Sequence, residues 1–268
     1  MSIAIVWFRR DLRLADNPAL QAALDAGHAP IPVYIHAPGE EAPWQPGAAS
    51  SSWLHHSLAA LSGQLEGLGS RLLLRRGDSL GELRSLVADS GATALYCNRL
   101  REAVARARDL QVFAALRSVG LQVQDCNASL LLEPGRVRSA AGTPYRVFTP
   151  YWRTASKLLG EMRPLPAPAR LPPVPGSLAG VPLASLHLLP PSRWDRQFWD
   201  SGWQPGEAGA AGMLEAFVEG AAHGYAKQRE LPDRIGSSRL SPHLHFGEIS
   251  PRMALAQLRT ASNPRVPA

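Results

Sequence analysis

Residues 3–27 read IAIVWFRRDLRLADNPALQAALDAG. The first six, IAIVWF, form an unbroken apolar run fit for a buried strand. Asp16, Asn17 and Pro18 then supply a helix start ahead of ALQAALDAG, which Gly27 can end. Strand, loop and helix in so short a span make the first half of a βαβ unit, and the theme recurs downstream. IPVYIH (31–36) is followed by SSSWLHHSLAALSGQLEGLG, a helix with serine caps and a glycine stop. RLLLRRG, LGELRSLVADSG, ATALYC, EAVARARDLQVFAALRSVG and LQVQDC continue the alternation up to Cys126. Five strands separated by helices of this length predict a Rossmann-like α/β domain, a five-stranded parallel sheet covered on both faces. Neither GxGxxG after the first strand nor GxxxxGK[ST] anywhere is present, so the sheet by itself names no function.

At 268 residues the chain exceeds a usual single core, and two domains are expected. Its composition, 45% hydrophobic and 19% charged, is that of a folded protein. All but two of the 28 basic residues are arginine, and the net charge is +6. Arginine's planar fork suits phosphate, yet on charge alone a solvated basic surface outweighs a nucleic-acid partner. Cys97 and Cys126 lack metal-ligand spacing, which argues for a reducing compartment without disulfides or a zinc site. Arginines directly after the short N-terminal apolar run are the reverse of a secretory signal, and no run is long enough to span a membrane. A soluble cytoplasmic protein, monomeric and with no metal, is the expectation.

Between residues 163 and 192 the text becomes RPLPAPARLPPVPGSLAGVPLASLHLLPPS, which excludes a central helix or strand and reads as a semi-rigid interdomain linker. Beyond it, residues 206–232 and 253–262 have helical periodicity and no strand signal. This predicts domain boundaries at 1–132 for the α/β unit, 133–203 for a connector and 204–268 for the start of an all-α unit. In RIGSSRLSPHLHFGEISPR (234–252), Ser241 and Ser250 each precede a proline, the pattern of an N-cap followed by proline at the first helical position. Ser237, Ser238 and Arg239 stand before the first of these starts. Capping with a surface arginine is the reading the residues favour by themselves, and an anion site at a helix end is the second. His243 and His245, without a carboxylate pair nearby, read as packing or hydrogen-bonding residues rather than metal ligands.

Three long segments then carry a family resemblance: VWFRRDLRLADNPAL, LLLEPGRVRSAAGTPYRVFTPYWR (130–153) and GYAKQRELPDRIGSSRLSPHLHFGEISPR (224–252). In this order they resemble the DNA photolyase and cryptochrome family over nearly the whole chain. The resemblance implies an α/β domain able to hold a light-harvesting chromophore, followed by a helical domain holding FAD. It also implies a reaction in which excited reduced flavin passes an electron to a pyrimidine dimer flipped out of DNA. Position by position, Tyr225 matches a flavin-contacting tyrosine and Arg229 an arginine that lies along ultraviolet-damaged DNA. Ser237, Ser238, Arg239, Leu240 and Ser241 match the run around the flavin's phosphates and ribityl chain. No catalytic residue is carried over.

The chain also departs from the family pattern. The Asn-Glu pair of folate-binding members is here Val104-Ala105, so a folate antenna is not matched, and a deazaflavin, a flavin or none stay open. The family's later flavin-lobe motifs and tryptophan chain have no counterpart, and Trp194, Trp199 and Trp203 read as packing residues. The expectation is therefore the N-terminal portion of a deoxyribodipyrimidine photo-lyase acting on cyclobutane dimers, inactive by itself. A cryptochrome-like photoreceptor and an isolated antenna or nucleotide-binding α/β module are the alternatives.

Overall fold

The computed structural model describes residues 2–261. Five strands, β1 (Ile3–Phe8), β2 (Ala29–His36), β3 (Leu73–Arg76), β4 (Ala94–Asn98) and β5 (Gln122–Cys126), form one parallel sheet in the order β3-β2-β1-β4-β5. Helices α1 (Pro18–Asp25), α2 (Ala48–Gly67), α3 (Ser79–Ser90) and α4 (Ala103–Arg117) make the crossovers. Alternate residues of β1 face opposite ways. Ala4, Val6 and Phe8 pack with Leu20, Leu58 and Leu61 on one side, while Ile5 and Trp7 pack with Leu83, Leu86 and Val112 on the other. Burial on both faces explains the unbroken apolar run, and the order of strands places a topological switch point between β1 and β4. The fold predicted from the sequence is the fold observed.

Local expectations fared unevenly. Asn17 caps α1, its side chain accepting from Leu20 N, with Pro18 at the first helical position. The serine cap expected on the second helix is not formed: α2 begins at Ala48 with Gly47 at its cap and no side-chain hydrogen bond there. The proline-rich stretch is no free spacer. Leu171 N donates to Leu68 O (2.9 Å), Val181 N donates to Leu74 O (2.8 Å), and Leu171, Val174, Leu178, Leu186 and Leu188 are buried. A segment that cannot join a ladder instead straps the β3 edge, where its few amides are enough to hold it.

The remaining helices are α5 (Phe148–Leu158), α6 (Arg196–Asp200), α7 (Glu207–Glu219), α8 (Tyr225–Gln228), α9 (Ser241–Phe246) and α10 (Pro251–Thr260). Ser262, the last residue of the expected terminal helix, lies outside the described residues. The helical unit's own core is small, built on Ala210, Leu214, Leu240 and Ile249. Two buried carboxylates supply what that core lacks by fastening the unit to the sheet layer. Glu248, after α9, accepts from Trp53 Nε1 (3.2 Å) and Ser57 Oγ (2.5 Å) of α2 and from Gly206 N (2.7 Å), and contacts His243 Nδ1 at 2.5 Å. Asp16, before α1, receives the Ser250 hydroxyl, the Leu165 amide at 3.1 Å and both Nε and Nη2 of Arg252 at 3.0 Å. Arg13 completes the joint through the carbonyls of Gly247 (2.8 Å) and Ala128 (3.0 Å). The LRLADNP part of the first motif is thus a clasp between the layers.

Candidate functional site

Tyr225 opens α8 and is 41% exposed, its ring edge-on to Phe217 at 5.9 Å. Arg229, one turn on, lies over the Tyr225 ring at 5.6 Å and pairs with Glu230 at 3.2 Å. The loop back to α9 comes close to that turn at Gly236. A Cβ there would stand 2.1 Å from Gln228 O, so only glycine lets the two backbones meet. The structure therefore brings Tyr225 and Arg229 beside the strand of chain that carries Ser237, Ser238, Arg239, Leu240 and Ser241.

Within that run, Leu240 is buried in the helical core, and Leu240 N donates to Ser238 Oγ at 3.4 Å. Arg239 takes a left-handed conformation (φ 53°) and lays its guanidinium on the Trp203 ring at 4.2 Å. Among the described residues it has no carboxylate partner. Ser241 is not the N-cap that the sequence reading expected. Leu240 occupies the cap with helical torsions, and Ser241 is the first helical residue, its exposed hydroxyl making no cap bond. The physical reason lies in the preceding turn: Leu240 is already held in the core with αR torsions, which leaves Ser241 no extended backbone from which to cap. Ser250 does cap, its Oγ accepting from Met253 N at 3.0 Å with Pro251 following. Ser237, Ser238, Arg239 and Ser241 form one partly exposed rim whose side chains donate no hydrogen bond among the described residues, though Ser238 Oγ accepts one from Leu240 N, a chemistry that fits an anion such as a dinucleotide's phosphates. His243 is a packing and hydrogen-bonding residue as expected, buried against Trp53 at 5.2 Å and in contact with Glu248, whereas His245 is exposed with its ring edge-on to Phe246 at 4.8 Å. Trp199 and Trp203 pack on the same Trp53, at 6.0 and 5.6 Å.

Sequence reasoning missed a second place. At the carboxyl ends of β1 and β2, a cavity of about 350 Å³ is bounded by Trp7, Tyr34, Leu54, Ala105, Leu188 and Phe246. This is within the size range of small-molecule sites, roughly 300–1,000 Å³. Its charged wall is a set of closed pairs. Arg10 bridges Glu41 (3.0 Å) and Glu102 (2.5 Å), Arg108 reaches Glu40 (3.4 Å) and Asp109 (2.8 Å), and Arg9 pairs with Asp109 (3.1 Å). Arg9 and Arg108 also stack on Trp7, at 4.2 and 5.1 Å. Burial, aided by Arg10, lowers the His245 pKa, and burial with Arg76 does the same to His36. Burial pushes the Tyr34 phenol up, so it stays protonated. Trp7 Nε1 and Arg9 Nε are buried donors without a partner among the described residues. No sequence signal marked this cavity: Trp7, Tyr34, Leu54, Ala105, Leu188 and Phe246 come from six separate stretches of chain, and no single motif spells them.

The sequence model of the DNA photolyase family matches residues 4–170. The deoxyribodipyrimidine photo-lyase of Agrobacterium fabrum is 42% identical over 92% of this chain and 51% of its own. Cryptochrome-2 of Arabidopsis thaliana is 37% identical over 92% of this chain and 41% of its own. Among solved structures, a bacterial class III photolyase from Agrobacterium tumefaciens superposes with a TM-score of 0.88 at 42% identity, covering 95% of this chain and 52% of that one. The chain spans about half the length, or less, of these relatives.

Proposed function

The chain belongs to the DNA photolyase family, and on that footing we propose that it is the N-terminal part of a light-driven deoxyribodipyrimidine photo-lyase that repairs cyclobutane pyrimidine dimers in DNA. The observation that carries the reading is the rim of Ser237, Ser238, Arg239 and Ser241, whose side chains donate no hydrogen bond among the described residues, set beside Tyr225 and Arg229. When bound, FAD supplies the reducing electron that splits the dimer. The chain's own residues hold one side of that group. Ser237, Ser238 and Ser241 offer hydroxyls to its phosphates, Arg239 offers a guanidinium with no competing carboxylate, and Tyr225 offers a ring face. Arg229, exposed and in direct reach of solvent, suits a DNA phosphate. Such a contact positions the duplex without reading its sequence. The cavity at the sheet's carboxyl edge suits a light-harvesting chromophore. Cytoplasmic location and a monomeric state belong to the same proposal; among the described residues no helix is long and apolar enough to cross a membrane.

The test joins residues 1–260 of this chain to the C-terminal portion of the Agrobacterium relative and follows thymine-dimer loss under blue light. Light-dependent loss with FAD bound supports the reading. FAD bound without any loss of dimers favours the second reading, a cryptochrome-like photoreceptor, which the Arabidopsis match keeps in view. In that chimera, Ser238→Ala and Arg239→Ala each lower the FAD retained through gel filtration, by about tenfold in affinity for the arginine. Full flavin content in both variants would count against the phosphate role.

A further inference from the structure

We propose that Trp203 is a positioning residue for the flavin's phosphates: its ring fixes the Arg239 guanidinium at the rim while taking none of that guanidinium's N–H groups. The inference rests on the reading of residues 237–241 as the phosphate rim and adds the residue that sets it.

Arg239 has little else to hold it. Its backbone stands in the left-handed region (φ 53°) that glycine alone enters freely, and its side chain makes no hydrogen bond or ion pair among the described residues. The contact it does make is with Trp203, 4.2 Å from the guanidinium carbon to the ring centroid. Among the described residues five arginines lie over aromatic rings, and the other four are spent. Arg9 and Arg108 lie on Trp7 and share Asp109, and Arg229 lies on Tyr225 and pairs with Glu230. Arg117 lies on Phe113 and donates to Val123 O at 3.0 Å.

The difference is chemical. A carboxylate holds a guanidinium by accepting from its N–H groups, and so removes both the donors and the charge that a phosphate would use. An indole holds it through the negative face of the ring and accepts nothing from the N–H fork. Only the second arrangement fixes an arginine and leaves it able to take a phosphate with two parallel bonds. A guanidinium already fixed loses less freedom when the phosphate arrives, and binding is tighter by that difference.

Trp203 is itself fixed from the sheet layer. It lies in the connection between α6 and α7, where its amide donates to Phe198 O at 3.3 Å. Its ring is edge-on to Trp53 of α2 at 5.6 Å and stands 6.4 Å from the His243 ring. Trp53 is buried, and its Nε1 donates to Glu248 at 3.2 Å. Support for the rim therefore runs from Glu248 through Trp53 and Trp203 to Arg239, starting at the joint between the layers. Leu240, buried in the helical core, anchors the backbone next to Arg239, so the stem and the head of this arginine are held from two sides.

A double-mutant cycle in the 268-residue chain tests this, with FAD binding followed at equilibrium by flavin fluorescence anisotropy, which registers weak binding that gel filtration loses. Trp203→Leu is expected to weaken FAD about fivefold, and Trp203→Phe, which keeps a ring face, to recover most of that loss. Added to Arg239→Gln, Trp203→Leu is expected to cost less than about twofold more, because the guanidinium through which it acts is gone. A residue that merely packs would give equal losses in the Phe and Leu variants, and the same loss with or without Arg239. Either of those outcomes, or unchanged FAD binding in Trp203→Leu, overturns the positioning role alone. Should Trp203→Leu melt below the working temperature, Trp203→Met, which also lacks a ring, replaces it in the cycle with the same expected result. No FAD binding by the unsubstituted chain, or binding unchanged in Arg239→Gln, overturns the reading of the rim and the inference with it.

Discussion

Gly247 shows how much a single position can carry. It ends α9 in the left-handed region (φ 68°), and a Cβ there would meet Arg10 O at 2.1 Å and Asp11 Cα at 2.5 Å. Both obstacles are backbone, so neither can swing aside. Gly247→Ala should cost at least about 2 kcal/mol, the sum of left-handed strain and a forced parting of the two layers, read from urea denaturation midpoints. Its neighbour Glu248 collects three donors and the His243 ring in a site with 1% exposure. Glu248→Ala strands those groups and should cost about 3 kcal/mol or more by the same measurement. A loss under 1 kcal/mol would mean that the joint is held by packing instead. Neither role was legible beforehand. A glycine after six helical residues reads as an ordinary stop, and nothing in FGEIS says that its glutamate meets Trp53 and Ser57 nearly two hundred positions away.

The helix starts separate what a motif says from what a helix does. Ser241-Pro242 and Ser250-Pro251 look alike in one dimension, yet only Ser250 accepts a bond from the third residue of its helix. Ser250 also donates to Asp16, so Ser250→Ala removes a cap and a clasp together and should cost about 1–2 kcal/mol. Ser241→Ala, at an exposed hydroxyl with no such bond, should stay within about 0.5 kcal/mol. Equal losses in the two variants would remove the distinction. The strands were easier to read, because an all-apolar β1 leaves no face for water and demands cover on both sides. β5 is the informative contrast: its polar QVQDC pattern matches an edge position, paired with β4 alone.

In the molecule as a whole, the helical unit owes its place to the joint more than to its own four-residue core. The same holds for the pH response. Burial lowers the pKa of His36, His55, His56 and His245 below 6.5. A base depressed in the folded state binds fewer protons there than when unfolded, so its contribution is present above 6.5 and lost as the pH falls through the folded value. Glu207, whose carboxyl burial raises despite the amides of Leu14 and Ala15, pulls the other way as a single group. Melting temperature should therefore fall between pH 7.5 and 5.5, and His56→Gln should flatten the slope; a flat wild-type profile would contradict this. By itself the 268-residue chain should retain FAD well below one-to-one, since the described residues offer one rim, and recovery of stoichiometric flavin after gel filtration would refute it. Periodicity determined the five parallel strands, the crossovers and the helical start, because burial on fixed faces is written into residue spacing. The segment at 225–241 takes a cofactor role only through its family resemblance, because its residues by themselves read as capped helix starts beside an arginine. Only the tertiary structure decided that LRLADNP is a clasp, that the prolines strap the β3 edge, and that Arg9, Arg10 and Arg108 are neutralised around a cavity. Each of those outcomes depends on carboxylates, carbonyls or apolar surfaces brought from distant segments, and charge pairing over such separations leaves no local pattern to read.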